Sequence, residues 1–310
     1  MFISTIIPTI GRATLSRAVE SVLAQEHLSI DFEVIVVNDS GRPLPEANWQ
    51  HSERVYVLQT WGRERSVARN TGAAVAKGRY LHFLDDDDWL APGAYRHFWE
   101  LSQSSSAKWL YGFTQLVDRE ARPLIQLRHG MKGNCFIQVM AGEWIPLQSS
   151  LIDRNMMMRV GGFNPLLTGP EDIDLLRRAL LEAEIAELAY VVSYVAVGEQ
   201  GSSTDYRKHP EASRWAREMV IDAPNAFERM WSSADSPYWY GRMLRVYLTS
   251  FVWNLRRWRF FCALSRLVFS CSCIMVAGGN IFSADFWRAV SRPYANATFR
   301  RGFQAAVQTG

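Results

Sequence analysis

The chain has 310 residues, of which 48% are hydrophobic and 21% charged, with a formal net charge of +3. This length and composition exclude a disordered or fibrous protein and predict a globular chain of one large domain with an appendage, or of two domains. The four cysteines predict buried thiols, because their positions indicate neither a disulfide framework nor a zinc site.

The net charge is divided unevenly along the chain. From residue 236 onward there are ten arginines, no lysine and a single acid, Asp285, so this part carries +9 and residues 1–235 carry −6. The two parts therefore face different surroundings. The apolar run Phe2 to Ile7 lacks a basic flank and is too short for a signal peptide, which predicts a cytoplasmic location.

Apolar runs and helically spaced apolar residues alternate through the first part of the chain. They predict strands over residues 2–8, 32–37, 55–58 and 80–84, with helices over 13–25 and 65–76. This order predicts parallel strands joined by right-handed crossovers in a doubly wound α/β domain. Ligands of such domains bind beyond the carboxyl ends of the strands.

After residue 90 the alternation is less regular. The pattern predicts helices over residues 92–102, 154–160 and 171–184, short strands over 109–117, 123–127 and 149–152, a turn over 161–165, and an ambiguous segment over 131–140. From Asp205 onward, helices rich in Trp, Tyr, Met and Arg replace this pattern. We therefore predict a domain over residues 1–205 and an arginine-rich helical extension over 206–310.

Four consecutive aspartates, Asp85 to Asp88, end the fourth predicted strand. Like charges on neighbouring residues repel, and a divalent cation or protonation offsets that repulsion. The alternative is a solvated acidic turn, with Asp88 capping a helix that begins near Pro92. Asp39 follows the second predicted strand, and so lies at a carboxyl end as the aspartate run does.

Seven short motifs follow one another between residues 8 and 175. They are Pro8-Thr9 with Arg12, Ser21 to Gln25, Val37 to Asp39, Ala68 to Gly72, Phe83 to Trp89, Gly161 to Phe163 and Glu171 to Leu175. In this order they resemble the motifs of family-2 glycosyltransferases of the GT-A fold, over roughly residues 1–205. The resemblance implies a mixed α/β sheet flanked by helices, and transfer of a sugar with inversion at its anomeric carbon.

The resemblance also implies how a donor would be bound. Asp39 would accept a hydrogen bond from the uracil or thymine ring of a UDP- or dTDP-sugar, in a pocket lined by Pro8, Thr9 and Arg12. An Asx turn at Asp39 and a solvated helix-start role for Arg12 are the structural alternatives.

Charged groups near the donor's diphosphate are implied in the same way. Asp87 would hold Mn²⁺ or Mg²⁺, while Asp85 and Asp86 would contact the ribose or sugar. Arg69 and Asn70 would lie beside them, where a guanidinium can hold a phosphate or carboxylate through two hydrogen bonds. The alternative for Arg69 is an ordinary surface position on its helix.

A general base is implied on the next helix. Asp172 would take the proton of the acceptor hydroxyl, with Glu171 shaping the acceptor site. Both acids also suit a helix N-terminus through the macrodipole, and the two roles are compatible. The stretch 197–203 departs from many relatives, because Glu199 and Gln200 stand where a histidine is common. A third protein ligand for the metal is therefore unassigned.

The basic tail has a composition of its own. Between Asp235 and Asp285 the chain has six arginines, many aromatic residues and no acid, which suits helices on an anionic membrane surface. A core-packed extension or dimer surface and a membrane span remain open. The span would rest on Leu267 to Gly279, which is shorter than the roughly 20 apolar residues needed. No recognised motif predicts nucleic-acid binding.

The resemblance, together with these charged residues, implies a metal-dependent inverting glycosyltransferase that modifies a hydroxyl of a glycan or lipid-linked acceptor. We expect it to act in surface polysaccharide biosynthesis, peripherally bound at the inner face of the cell membrane. The alternative is a catalytically silent nucleotide-sugar-binding partner in a membrane assembly complex. The presence of Asp39, Asp87 and Asp172 favours the enzyme, since a decayed site need not keep all three.

Overall fold

The computed structural model describes residues 1–25, 29–62, 64–118, 120–167, 169–196, 210–232 and 234–292. The chain divides into two compact units. The first unit contains Met1–Cys135 and Trp144–Ala216, and the second contains Phe136–Glu143 and the helices that follow Arg217. The domain boundary at residues 205 and 206 stays a prediction, because residues 197–209 lie outside the described chain.

Within the described ranges, nine strands form one sheet in the first unit. They are β1 (Phe2–Thr9), β2 (Asp31–Asn38), β3 (Val55–Gln59), β4 (Tyr80–Phe83), β5 (Trp89–Leu90), β6 (Trp109–Val117), β7 (Pro123–Leu127), β8 (Ser150–Asp153) and β9 (Ile185–Ala196). Their order is β3-β2-β1-β4-β8-β6-β9-β5, with β7 paired to β6. Strands β1 to β4 pair in parallel and β8 is antiparallel to its neighbours, which confirms the predicted mixed sheet.

Helices are interspersed with the strands as far as β9, and in the described part of the chain only helices follow β9. They are α1 (Leu15–Leu23), α2 (Arg65–Val75), α3 (Ala94–Ser104), α4 (Phe136–Met140), α5 (Arg154–Arg159), α6 (Glu171–Glu182), α7 (Pro210–Ile221), α8 (Ala226–Ser232), α9 (Ser236–Arg256), α10 (Phe260–Ala277) and α11 (Ala284–Ser291). On α1 the buried residues are Leu15, Ala18, Val19 and Val22, spaced three and four apart. They join the core cluster that contains Ile3 and other residues of the sheet, and each Leu or Val side chain among them contributes about 1.5–3 kcal/mol when fully buried.

Strand register brings three loops to one edge of the sheet. Thr9, the last residue of β1, pairs with Asn38, the last residue of β2. Ile6 of β1 pairs with Phe83, the last residue of β4. The loops that carry Asp39 and the aspartate run therefore leave the sheet beside the loop that follows Thr9, as the parallel pairing predicts.

The sequence-based prediction missed two strands, β5 and β9. β9 has 12 residues and lies between β6 and β5 in the sheet. Gly112 of β6 is where the β6–β9 register shifts, and a Cβ atom there would collide with Val192 of β9. The glycine therefore permits the close approach of the two strands. The ambiguous segment over residues 131–140 contains the short helix α4.

The second unit is built around α9. The Tyr238 hydroxyl donates to Glu143 Oε1 at 2.8 Å, and Arg242 Nη1 donates to the carbonyl oxygen of Arg292 at 2.7 Å. Gly241 lies against Phe286 of α11, where a Cβ atom would meet the Phe286 backbone. The first half of α9 is therefore enclosed by protein.

Helix α10 is longer than the apolar stretch predicted from the sequence. Among the described residues, the 23 residues Phe260–Phe282 are long and apolar enough to cross a membrane, judged by length and composition alone. The predicted 13 residues stopped short because Arg266 was taken as a limit. The helix continues through Arg266, whose guanidinium lies 5.9 Å from the centre of the Phe269 ring.

Candidate active site

Asp86 is held by two side chains of the segment that ends β1. Thr9 Oγ1 donates to Asp86 Oδ2 at 2.6 Å, and Arg12 Nη1 donates to Asp86 Oδ1 at 2.7 Å. The same nitrogen of Arg12 lies 3.1 Å from Asp87 Oδ2. The structure thus joins Thr9 and Arg12 to the aspartate run, and Arg12 is not merely a solvated residue before a helix.

Asp85 lies between a cation and an amide. Arg69 Nη2 donates to Asp85 Oδ1 at 2.7 Å, and Gln148 Nε2 donates to Asp85 Oδ2 at 3.0 Å. Burial alone would raise the pKa of the Asp85 carboxyl, but the guanidinium of Arg69 outweighs burial and lowers it. Asp85 is therefore ionised at neutral pH.

Three of the four aspartates could share a cation. Carboxylate oxygens of Asp85, Asp87 and Asp88 all lie within 4.8 Å of one another. Burial and the neighbouring carboxylates raise the pKa of Asp87, and the same causes raise that of Asp88 further. A divalent cation would relieve this repulsion, and oxygen ligands suit Mg²⁺ and Mn²⁺. The donor set therefore fits the metal that the sequence predicts at Asp87.

The prediction that Asp88 caps the following helix is wrong. Helix α3 begins at Ala94, and the residue before it is Gly93, with φ 74°. Asp88 is buried and accepts a hydrogen bond from the Ala196 backbone at 3.2 Å. The cap fails because Gly93 supplies the left-handed conformation that turns the chain into α3.

Asp39 is fixed by the loop that follows β3. Its Oδ1 accepts from Thr60 Oγ1 at 2.7 Å, and its Oδ2 accepts from the Glu64 backbone at 3.0 Å. The Asp39 backbone donates to the Thr9 carbonyl at 2.8 Å. Pro8, half-buried in β1, pairs with Val37. Asp39, Thr9 and Pro8 therefore lie at one edge of the sheet.

Arg69 links the aspartate run to helix α6. It is 4% exposed, and its Nη1 donates to Glu171 Oε1 at 3.0 Å while Nη2 binds Asp85. Glu171 is also buried, and its Oε2 accepts from the Gly169 backbone at 3.0 Å. Such charge-assisted hydrogen bonds hold a guanidinium in one orientation. Arg69 is thus a buried bridge and not a surface arginine.

Two N–H groups hold the carboxylate of Asp172. Trp144 Nε1 donates to Asp172 Oδ2 at 3.3 Å, and the Ile173 backbone donates to Oδ1 at 2.7 Å. Burial, followed by the neighbouring Glu171 carboxylate, raises the pKa of Asp172 to about 6. A carboxylate whose pKa lies near the operating pH can accept a proton more effectively than an ordinary aspartate.

Asn70 has a different neighbour from the other predicted site residues. Its Nδ2 donates to the Phe163 carbonyl at 2.8 Å, and its Oδ1 accepts from the Phe163 backbone at 2.9 Å. Phe163 in turn lies below Arg69, whose guanidinium is 5.3 Å from the ring centre. Asn70 therefore holds Phe163, and Phe163 contacts Arg69. Contact between Asn70 and a nucleotide-sugar donor stays a prediction.

A buried chain of polar groups supports Asp85 from inside the sheet, and the sequence did not predict it. The Tyr95 hydroxyl contacts Thr5 Oγ1, which lies 3.3 Å from His82 Nδ1. His82 Nε2 lies 3.0 Å from the Gln148 carbonyl, and the side chain of Gln148 holds Asp85. Burial lowers the pKa of His82 to about 4, so the ring is neutral.

The predicted replacement of a histidine by Glu199 and Gln200 lies outside the described residues. A third protein ligand for the metal in that segment therefore stays unassigned. Within the described ranges, the cluster of Asp85, Asp87 and Asp88 supplies three carboxylates without it.

Sequence comparison relates this chain to known glycosyltransferases. The family model described as "Glycosyl transferase family 2" matches residues 4–163. An uncharacterized glycosyltransferase of Haemophilus influenzae is 26% identical over 184 residues, covering 58% of this chain and 62% of the relative. The poly(ribitol-phosphate) beta-N-acetylglucosaminyltransferase TarP of Staphylococcus aureus is 31% identical over 116 residues, which are 36% of each chain. The alignments thus span between about a third and just under two thirds of these two relatives.

Solved structures show the same fold. S. aureus TarS 1–349 in complex with UDP-GlcNAc has a TM-score of 0.61 at 15% identity, covering 88% of this chain and 91% of that chain. The complex of the same protein with UDP has a TM-score of 0.57 at 16% identity, with the same coverage. At such low identity the likeness concerns the fold, which is the GT-A arrangement of a mixed sheet flanked by helices. With a family match that spans more than half of its residues, this chain belongs to glycosyl transferase family 2.

Proposed function

We propose that this protein is an inverting, metal-dependent glycosyltransferase. It moves a sugar from a UDP- or dTDP-type nucleotide sugar to a hydroxyl of a glycan or lipid-linked acceptor in surface polysaccharide biosynthesis. Three similar proteins support this: TarP is a poly(ribitol-phosphate) beta-N-acetylglucosaminyltransferase, ExoO of Rhizobium meliloti is a succinoglycan biosynthesis protein, and TarS was solved with UDP-GlcNAc.

The donor would lie across the edge of the sheet where β1, β2 and β4 end. Asp39 would accept the N3–H of uracil or thymine, beside Pro8 and Thr9. Arg12, already bound to Asp86, would carry positive charge towards the diphosphate. The diphosphate of a nucleotide sugar is the concentrated negative charge that such a cation attracts.

A divalent metal would be held by Asp87 with Asp85 and Asp88. When bound, it would act as a Lewis acid that stabilises the charge of the departing diphosphate. Arg69 keeps Asp85 ionised, and Gln148 fixes its second oxygen. Asp86 lies outside this group of three carboxylates and is held by Thr9 and Arg12, so its role would be to orient the run relative to the donor.

The acceptor would be deprotonated by Asp172. The acceptor oxygen forms a bond to the anomeric carbon while the bond from that carbon to the phosphate oxygen breaks. The diphosphate leaves with the electron pair, and the acceptor proton moves to the carboxylate of Asp172. Attack from the face opposite the leaving group inverts the anomeric configuration. Glu171 would instead position Arg69, whose Nη1 donates to its Oε1.

The observation that carries this proposal is the pair of hydrogen bonds made by Arg69. One reaches Asp85 in the aspartate run, and the other reaches Glu171, the residue next to Asp172. This single side chain couples the place of the leaving diphosphate to the helix that bears the base. Catalysis by positioning requires such a fixed spacing between leaving group and base.

The test uses the full-length protein with a panel of UDP-, dTDP- and GDP-sugars. We expect release of nucleoside diphosphate from one donor, with Mn²⁺ or Mg²⁺ and not with EDTA. Asp172→Asn should lose turnover and keep nucleotide binding. Asp87→Asn should need a higher concentration of Mn²⁺ or Mg²⁺ for turnover. Asp31→Asn is the matched control, since Asp31 is an exposed aspartate at the start of β2.

Two results would contradict the proposal. Turnover that persists in Asp172→Asn would show that another group is the base. Tight nucleotide binding with no metal-dependent turnover on any donor would favour the catalytically silent binding partner. Calorimetry of UDP and dTDP distinguishes these outcomes from a protein that has lost its fold.

A further inference from the structure

Helices α9 and α10 form an antiparallel hairpin whose outer surface is apolar. Tyr247 of α9 stacks on Phe269 of α10 with ring centres 5.2 Å apart. The buried residues of α10 are Ala263, Ser270 and Ala277, seven residues apart and so on one narrow line of the helix. Most of the remaining surface of α10 lies outside the protein interior.

That outer surface has no extended polar side. Nine of its large hydrophobic side chains are exposed: Phe260, Phe261, Leu264, Leu267, Val268, Phe269, Ile274, Met275 and Val276. Six of the nine form two runs of three consecutive residues, Leu267 to Phe269 and Ile274 to Val276. Three consecutive residues spread over about 200° of a helix. Phe261 is 92% exposed and Met275 is 73% exposed.

Such a helix does not suit a water-facing position. A surface helix of a soluble protein has one apolar stripe and a charged opposite face, and a helix apolar on all sides is normally buried. In α10 the only charged residue is Arg266. Within the 18-residue apolar window of the segment Phe260–Phe282, only 17% of the residues are nevertheless buried. Exposed apolar surface of this extent marks an interaction site.

Positive charge is concentrated where the two helices meet. Arg256, Arg257 and Arg259 are exposed around the turn, and the Arg257 guanidinium lies 4.2 Å from the centre of the Trp253 ring. Trp258, in the same turn, is 79% exposed. Arginine and tryptophan side chains of this kind favour the headgroup level of a membrane.

We propose that the α9–α10 hairpin binds an anionic lipid bilayer, with α10 in the hydrocarbon and the arginines of the turn on lipid phosphates. A second copy of this chain fits less well. The sequence has no acid between Asp235 and Asp285, so two apposed hairpins would bring arginines together with no carboxylate between them. Anionic headgroups provide the opposite charge, each arginine contributing to binding near such a surface. This inference goes beyond the proposed function and does not depend on turnover.

The test is flotation of the full-length protein with vesicles of phosphatidylcholine alone or with one third phosphatidylglycerol. We expect flotation with the anionic vesicles, and we expect it to resist a wash in 1 M NaCl because α10 is held by apolar burial. A triple change of Arg256, Arg257 and Arg259 to Gln should weaken binding at low salt by roughly 100-fold, from the contribution of each arginine near an anionic surface.

The matched variants are Val276→Asp on α10 and Val75→Asp on α2. The two valines have similar exposure, 62% and 50%. Val276→Asp should lose salt-resistant flotation, and Val75→Asp should float like the wild type. Both should keep the circular dichroism spectrum and melting temperature of the wild type, since neither valine is in the core.

Three outcomes would overturn the inference. Wild-type protein that stays with neither vesicle has no bilayer site. A vesicle-independent dimer that Val276→Asp dissociates would make a second copy the occupant. A large fall in melting temperature for Val276→Asp alone would mean that another part of the chain covers α10. Release of nucleoside diphosphate, measured in the same samples, reports separately on the proposed transferase.

Discussion

Arg69 and Glu171 form an ion pair across 102 residues of sequence, with Nη1 and Oε1 3.0 Å apart and both side chains at most 5% exposed. Because the pair is buried, removing the cation leaves an uncompensated charge. Arg69→Met should lower the free energy of unfolding by about 3–5 kcal/mol.

The control for this prediction is Arg65→Met. Arg65 approaches the same oxygen of Glu171 at 3.5 Å, but its side chain is 35% exposed. Its loss should cost no more than about 1 kcal/mol, as for other exposed pairs. Urea denaturation measures both values, and equal losses for Arg69→Met and Arg65→Met would contradict the buried-bridge interpretation.

The activity should depend on the ionisation of Asp172. Its raised pKa of about 6 predicts that kcat falls as the pH drops below 6, because a protonated carboxyl cannot accept the acceptor proton. Trp144 donates to the ionised form, so Trp144→Phe should raise the pKa and move the acid limb to higher pH. An acid limb that stays in place in Trp144→Phe would exclude Asp172 as the group it reports.

Ionisation of Asp172 should lower the stability of the folded protein, whereas it raises kcat. Since the pKa of Asp172 is raised by folding, ionised Asp172 lowers the stability of the folded protein above about pH 6. This cost disappears as the pH falls towards about 4, the ordinary value for aspartate. Asp172→Asn should therefore raise the melting temperature at pH 8 and leave it unchanged at pH 4. A lower melting temperature at pH 8 would contradict the assigned direction.

The parallel half of the sheet was predictable because each of its strands is a mainly apolar run bounded by turns. β1 and β2 are observed within one residue of their predicted limits. β9 was not, although Tyr190, Val191 and Val192 are strand-forming residues. Its pairing with β6 joins residues 76 to 79 positions apart and has two register shifts, which no local pattern reveals.

The sequence predicted which charged residues lie at the candidate site, but not which groups hydrogen-bond to them. The sequence indicated that Asp39 and the aspartate run share one edge of the sheet, and they do. It did not indicate Gln148 or Trp144, which bind Asp85 and Asp172. Both lie in a segment without a recognisable motif, and they reach the site only through the fold. Amide and indole donors carry no sequence signal comparable to four aspartates.

Asp39 makes a prediction about nucleotide choice. Its two oxygens accept hydrogen bonds from Thr60 and the Glu64 backbone. In Asp39→Asn, the NH₂ group would face one of these two hydrogen-bond donors. UDP affinity should fall about 10- to 100-fold, as expected for a hydrogen bond to a charged group. The preference for UDP over CDP should narrow, because cytosine lacks the N3–H donor.

Thr60→Val is the control for this nucleotide prediction. It removes one bond to Asp39 and keeps the carboxylate, so its effect on UDP affinity should be smaller and its preference for UDP over CDP unchanged. Titration calorimetry with UDP and CDP measures both quantities. Unchanged discrimination in Asp39→Asn would mean that another residue reads the base.

The two glycines before Phe163 give a matched pair of stability predictions. Gly161 and Gly162 both have left-handed backbones, with φ 83° and 68°, and an alanine in that conformation costs about 1–2 kcal/mol. A Cβ atom on Gly161 meets no atom within 4 Å, whereas one on Gly162 would lie 2.7 Å from Asn70 Oδ1. Gly162→Ala should therefore be less stable than Gly161→Ala by at least about 1 kcal/mol, because it also strains the two hydrogen bonds between Asn70 and Phe163.

Gly161→Ala and Gly162→Ala should also differ in catalytic activity. Phe163 supports the guanidinium of Arg69, so a shift of Asn70 and Phe163 would move the group that binds Asp85 and Glu171. We expect Gly162→Ala to lower kcat at a temperature where both variants are fully folded, and Gly161→Ala to retain wild-type turnover. Thermal unfolding and steady-state release of nucleoside diphosphate measure the two effects. Equal stability and equal turnover in the two variants would show that Asn70 does not position the Arg69 bridge.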